Sequence, residues 1–182
     1  MELLNPEGIG GASMKLDALM RDFASVPHAI IGSGPRNPIN PKPEFEPELV
    51  AYFEKYPFLR EIDEYRQFLE QYGGAGVFYP EFVRPAVILD MFGIGRFTED
   101  NELLGPDGFF CFSTCMIDYD SRRSVNTEFL FNSRNTRLGE VYGRETDEIQ
   151  PAGGQLRIVY PSFLEWLSAV IQSRGFMRMP EA

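Results

Sequence analysis

Histidine is almost missing from this 182-residue chain, which has His28 alone, and cysteine is limited to Cys111 and Cys115. A zinc centre assembled from Cys and His needs a fuller ligand set than that, so no such site is expected. The two cysteines stand four positions apart in a strand-like run. On a regular strand they share a face but lie about 13 Å apart at ~3.3 Å per residue, beyond disulfide reach. Two buried thiols are the expectation. Lysine is scarce as well, with 3 Lys against 14 Arg, a bias that suits bidentate pairing with carboxylates and fixes no function.

Long apolar runs are also lacking. None approaches the ~20 residues of a membrane span, and Met1 to Gly10 lacks the basic-then-apolar order of a signal peptide. A cytoplasmic protein that does not bind membranes is expected. Gly93-Ile94-Gly95 has neither the third glycine nor the following helix of a dinucleotide loop, and no Gly-Lys-Ser/Thr sequence exists for a phosphate loop. His28 borders no serine elbow and no cysteine–histidine signature, so a nucleophilic triad has no support. Asp118 and Asp120, two apart, can be read as a divalent-metal pair or as a turn rich in Asp, and the turn is the commoner meaning. No catalytic residue, metal or cofactor is expected, and the chain reads as a non-enzyme.

Apolar and aromatic residues are plentiful. Hydrophobic residues make up 43% and aromatics 14%, with 16 Phe and 8 Tyr, enough for a sizeable core. A chain of this length is expected to form one globular domain. Acidic residues number 27 against 17 basic, a net charge of −10, and the isoelectric point is near 4.6. Such a field repels phosphate backbones and anionic lipid surfaces and steers in a basic partner. Solubility alone is the other reading of the same balance.

Ser13 precedes Leu16, Leu19, Met20 and Phe23, a pattern that predicts a short capped helix ending near Pro27. Residues 31–47 hold five prolines and two glycines, which predicts an extended surface arm with Ile39 and Phe45 as anchors. A polyproline ligand for a partner's groove is the alternative. Pro47 opens a second helix whose buried stripe is Leu49, Val50, Phe53 and Tyr56, closed by Pro57. A third runs from about Arg60 to Tyr72, with Ile62, Tyr65, Phe68, Leu69 and Tyr72 on one face and Gly73-Gly74 as its stop.

Strands are then expected at 77–79, 86–92, 109–119, 128–132 and 139–143, and a last helix from Pro161-Ser162 with Phe163, Trp166, Leu167, Val170 and Ile171 inward. The gaps between strands are too short for helical crossovers. The reading is an α+β fold with a central antiparallel or mixed sheet of about five to six strands, flanked by N-terminal and C-terminal helices. Residues 1–60 are read as helices and a Pro-rich arm packed on a domain at 61–175.

The sequence Tyr65-x-x-Phe68-Leu69-x-x-Tyr72-Gly73-Gly74-Ala75, followed by a strand pair and then Val159-Tyr160-Pro161-Ser162-Phe163-Leu164-Glu165-Trp166-Leu167, resembles the two signatures of the SUKH superfamily. That group includes a fungal cell-wall regulator and many bacterial toxin-immunity proteins. The likeness covers roughly Ile62 to Ile171, and Ile62-Asp63-Glu64 departs from the Leu-Pro pair common before the first signature. Resemblance implies a non-catalytic protein that neutralises a bacterial toxin, often a nuclease, by tight binding. A scaffold or regulator of the same superfamily is the alternative, and a hydrolase using Asp118 and Asp120 with a metal is a more remote one. The signature residues themselves read as helix stop and core. A nuclease groove is basic because it holds phosphates, so carboxylates can occupy it. The candidate contacts are Glu99, Asp100 and Glu102 in one loop, Asp118 and Asp120 in a second, and Glu145, Asp147 and Glu148 in a third.

Overall fold

The computed structural model describes residues 7–78, 87–89, 103–120, 123–134, 137–147 and 155–177. Among the described residues four α-helices flank an antiparallel sheet, an α+β architecture. The helices are α1 (Glu7–Phe23), α2 (Glu46–Lys55), α3 (Asp63–Tyr72) and α4 (Phe163–Gln172). The strands are β1 (Ala29–Ile31), β2 (Ala75–Val77), β3 (Val87–Leu89), β4 (Phe109–Asp120), β5 (Arg123–Asn132), β6 (Val141–Asp147) and β7 (Arg157–Tyr160). They lie in the sheet in chain order, β1 to β7, each antiparallel to the next. Two of these, β1 and β7, fall outside the strands expected from sequence. Both are short edge strands, and proline-rich sequence follows the first while Pro161 follows the second.

Helix α1 begins six residues before Ser13, which lies inside it and does not cap it. Gly8, Gly10 and Gly11 disfavour a helix there by propensity. Tertiary packing overrides them: Leu16, Met20 and Phe23 are buried, and α1 runs beside α3 and α4. In α2, Leu49 and Phe53 are buried as expected, but Val50 is 41% exposed. Helix α3 starts at Asp63 and not at Arg60, because Pro57–Glu61 winds as a tighter 3-10 turn. Gly73 takes φ +70° at its C-terminus, the left-handed geometry that ends a helix without a Cβ clash. Ser162 caps α4 by accepting from the Glu165 N–H at 3.2 Å.

The core is a stack of rings between α3, α4 and the middle of the sheet. Tyr65 meets Phe131 at 5.1 Å and Phe163 at 5.3 Å, while Phe112 lies over Phe131 at 4.1 Å and edge-on to Trp166 at 5.0 Å. Offset and edge-to-face pairs of this kind add roughly 0.5–1.5 kcal/mol each beyond the area they bury.

A bulge in β4 alters the expected placement of the cysteines. Cys111 pairs with Leu130 and Ser113 with Phe129, so Phe112 is an extra residue on β4. It breaks the two-residue alternation. Cys111 therefore shares its rung with Leu130, whose neighbours Phe129 and Phe131 face the helices, whereas Cys115 is buried in the helix-facing core. The two thiols are free and do not share a face.

Burial pushes the Cys115 thiol from 9.0 up to about 12. Burial, then the charge and hydrogen bond of Asp17, take Tyr72 from 10.0 to about 12, and burial raises Tyr65 well above its ordinary value. Above pH 9 the unfolded chain releases these protons while the native state keeps them, so stability falls as pH rises. Urea unfolding between pH 8 and pH 11 is expected to show this decline. It should begin near the unfolded thiol value, and Cys115→Ala should flatten its first part.

Candidate functional site

Strands β4, β5 and β6 form a meander whose register decides which of the acidic candidates come together. One rung joins Cys115, Thr127 and Glu145, and the rung two residues further on joins Ile117, Val125 and Asp147. Asp118 lies across from Ser124, and Asp120 from Arg123. Asp118, Asp120, Glu145 and Asp147 thus belong to the same end of the same three strands. Neighbouring strands are ~4.8 Å apart, which puts the backbones of Asp118 and Asp147 within roughly 10 Å of each other.

Two expectations change here. Asp118 and Asp120 are strand residues and not part of a turn, because β4 continues to Asp120 and only residues 121–122 connect it to β5. A second register shift falls between Asp118 and Asp120, and Arg123 is the residue across from Asp120. Glu145 is exposed on β6. Glu99, Asp100, Glu102 and Glu148 lie outside the described residues, so this end of the sheet is defined by the other four candidates.

The two signature segments meet in the core. Tyr65, Phe68, Leu69, Phe163, Trp166 and Leu167 are all fully buried. Glu64 accepts a hydrogen bond from the Leu164 N–H at 3.2 Å, placing a carboxylate at the N-terminus of α4 where the helix dipole favours it. The tripeptide that departs from the signature thus has three tasks: Ile62 is core, Asp63 pairs with Arg66 at 2.9 Å, and Glu64 ties α3 to α4.

The Pro-rich arm finishes the C-terminus of α3. The N–H groups of Arg36, Gly34 and Gly32 donate to the carbonyls of Glu70, Gln71 and Gly74 at 2.8, 2.9 and 2.8 Å. The Asn37 side-chain amide donates to the Gln71 carbonyl at 2.8 Å. Helix ends leave carbonyls without intrahelical partners, and these bonds supply them. Phe45 is half-buried as an anchor should be, but Ile39 is 93% exposed and anchors nothing.

Sequence reasoning did not find the cleft between this arm, α2 and α3. Its volume is about 420 Å³, and it is lined by Arg36, Glu46, Leu49, Val50, Phe53, Arg60, Arg66 and Glu70. A chain of ion pairs runs along it: Glu46 to Arg36 at 2.7 Å, Arg36 to Glu70 at 3.0 Å, and Arg66 to Glu70 at 3.2 Å. The hydrogen bond to Glu46 chiefly raises the Arg36 pKa, and that to Asp63 chiefly raises the Arg66 pKa, with desolvation opposing both. The pairing of Arg66 with Asp63 and Glu70 could have been read from helical spacing. Arg36 could not, since 34 residues separate it from Glu70.

Comparison of the chain with protein-family models, with curated proteins and with solved structures gives no match.

Proposed function

We propose that the protein is a non-catalytic binding protein that neutralises a basic toxin domain, of the nuclease type, in the manner of the SUKH immunity proteins it resembles. The observation that supports this reading is the register that gathers Asp118, Asp120, Glu145 and Asp147 at one end of the β4–β5–β6 meander, in a chain of net charge −10. Carboxylates carried on β4 and β6, the two strands on either side of β5, can take the place of phosphates in a basic groove and speed its capture. The signature residues contribute core and not contact, so the binding energy is assigned to the sheet end.

The test is capture from lysate of the source strain at low and high salt, followed by assay of the captured protein for nuclease activity with and without the purified protein. A basic, toxin-like partner whose activity is blocked, and whose association weakens as salt rises, is expected. Replacing Asp118, Asp120, Glu145 and Asp147 together by Lys should reduce its affinity by about 100-fold or more. A partner held equally well by the reversed variant would remove the sheet end from the reading. Salt-insensitive capture of a housekeeping protein would favour a scaffold of the same superfamily.

A further inference from the structure

In the cleft between the arm, α2 and α3, Arg36 and Arg66 are matched by Glu46, Glu70 and the neighbouring Asp63, which leaves Arg60 as the arginine without a carboxylate among the described residues. Both glutamates that line the cleft are already engaged: Glu46 by Arg36, and Glu70 by Arg36 and Arg66. The Arg60 guanidinium centre lies 5.8 Å from the centre of the Phe53 ring, a contact that holds the planar group without satisfying its N–H donors. Beside Phe53 the wall is apolar, made by Leu49 and the 41% exposed Val50.

A cavity of about 420 Å³ falls in the ~300–1,000 Å³ range of small-molecule sites. It also has the usual make-up of such a site: an apolar wall and a few polar groups that fix orientation. We infer that the cleft binds a small organic carboxylate with an apolar body, its carboxylate on Arg60 and its body against Leu49, Val50 and Phe53. A guanidinium offers two parallel N–H groups that match a carboxylate, which makes Arg60 the recognising group. The Glu46–Arg36–Glu70–Arg66 chain of ion pairs lines the rest of the cleft. Because the glutamates there are neutralised by their partners, the incoming anion meets little repulsion. This site is separate from the acidic sheet end and does not depend on what that end binds.

The test uses the full chain with 3-phenylpropionate, its neutral amide 3-phenylpropionamide, and phenyl phosphate as probes. Calorimetry measures affinity, and the arginine side-chain Nε–Hε signals in an NMR spectrum locate the contact. Binding of 3-phenylpropionate with a shift of the Arg60 signal is expected, along with loss of about tenfold or more in affinity in Arg60→Gln. The exposed position of Arg60 allows that variant to fold, which its melting curve will verify. Binding of the amide as tightly as the acid, unchanged affinity in Arg60→Gln, stronger binding of phenyl phosphate than of the carboxylate, or no binding at millimolar 3-phenylpropionate would each overturn the assignment.

Discussion

Gly34→Ala is expected to destabilise the protein by about 3 kcal/mol, the upper part of the range for forcing an extra methyl into a packed site. For a chain of this size that lowers the melting temperature by roughly 6–12 °C. A Cβ on Gly34 would sit 2.4 Å from the Glu70 carbonyl oxygen, 2.7 Å from its carbon and 2.7 Å from the Leu69 oxygen. All three are backbone atoms of the last turn of α3, and no side-chain rotation can clear them. The residue must move, and with it the Gly34 N–H that donates to Gln71 and the Gly34 carbonyl that accepts from Lys42. Differential scanning calorimetry of the variant measures the effect. A melting temperature within a degree or two of the parent would mean that the arm does not close on α3 as described.

Trp166→Ala is expected to cost about 3–5 kcal/mol, as large-to-small substitutions at buried aromatic positions do. The ring is fully buried and touches Phe112, Phe129 and Phe163, with centroids 5.0, 5.5 and 5.7 Å away. Its indole Nε1 has no hydrogen-bond partner among the described residues, so the loss is one of packing and not of a polar contact. Trp166→Phe keeps an aromatic ring and removes the orphaned donor, and should cost less than about 1.5 kcal/mol. Urea unfolding followed by circular dichroism separates the two variants, which both lack the chain's one tryptophan fluorophore. Equal losses in the two would show that a ring at this position does not restore the packing against Phe112, Phe129 and Phe163.

Where the sequence was legible, one local rule was enough. Gly73 after the Tyr65, Phe68, Leu69 and Tyr72 stripe marks the end of α3 because no other residue takes φ +70° so readily. Ser162 and Glu165 mark the start of α4 because the capping hydroxyl and the N–H it accepts from are three residues apart. The misses share a cause: each needed a partner far away in the chain. The bulge at Phe112 exists in the pairing of β4 with β5 and has no mark in β4 itself. The true start of α1 depends on its packing beside α3 and α4. Gly34 resembles any loop glycine until Glu70 is placed against it.

The acidic candidates divide along the same line. Spacing alone grouped them as three separate loops. The register of β4, β5 and β6 joins Asp118, Asp120, Glu145 and Asp147 into one end of the sheet, which pattern reading along a single chain could not do. The cleft with Arg36, Arg60 and Arg66 was missed because its charges nearly cancel in a count and are distributed only in space.

The strand order has a kinetic consequence. From β2 to β7 every sheet neighbour is also the next strand in the chain, so each pairing can follow the last with a modest loop to close. Such a sheet can zip from one hairpin to the next, with β4–β5 as the tightest starting point because two residues connect it. The helices reverse that economy. The Glu64–Leu164 hydrogen bond closes a separation of 100 residues, and α1 must find α4 from the opposite end of the chain. The late event in folding is then the docking of α4 onto a helical layer contributed by the first half of the molecule, with the meander already formed beneath it.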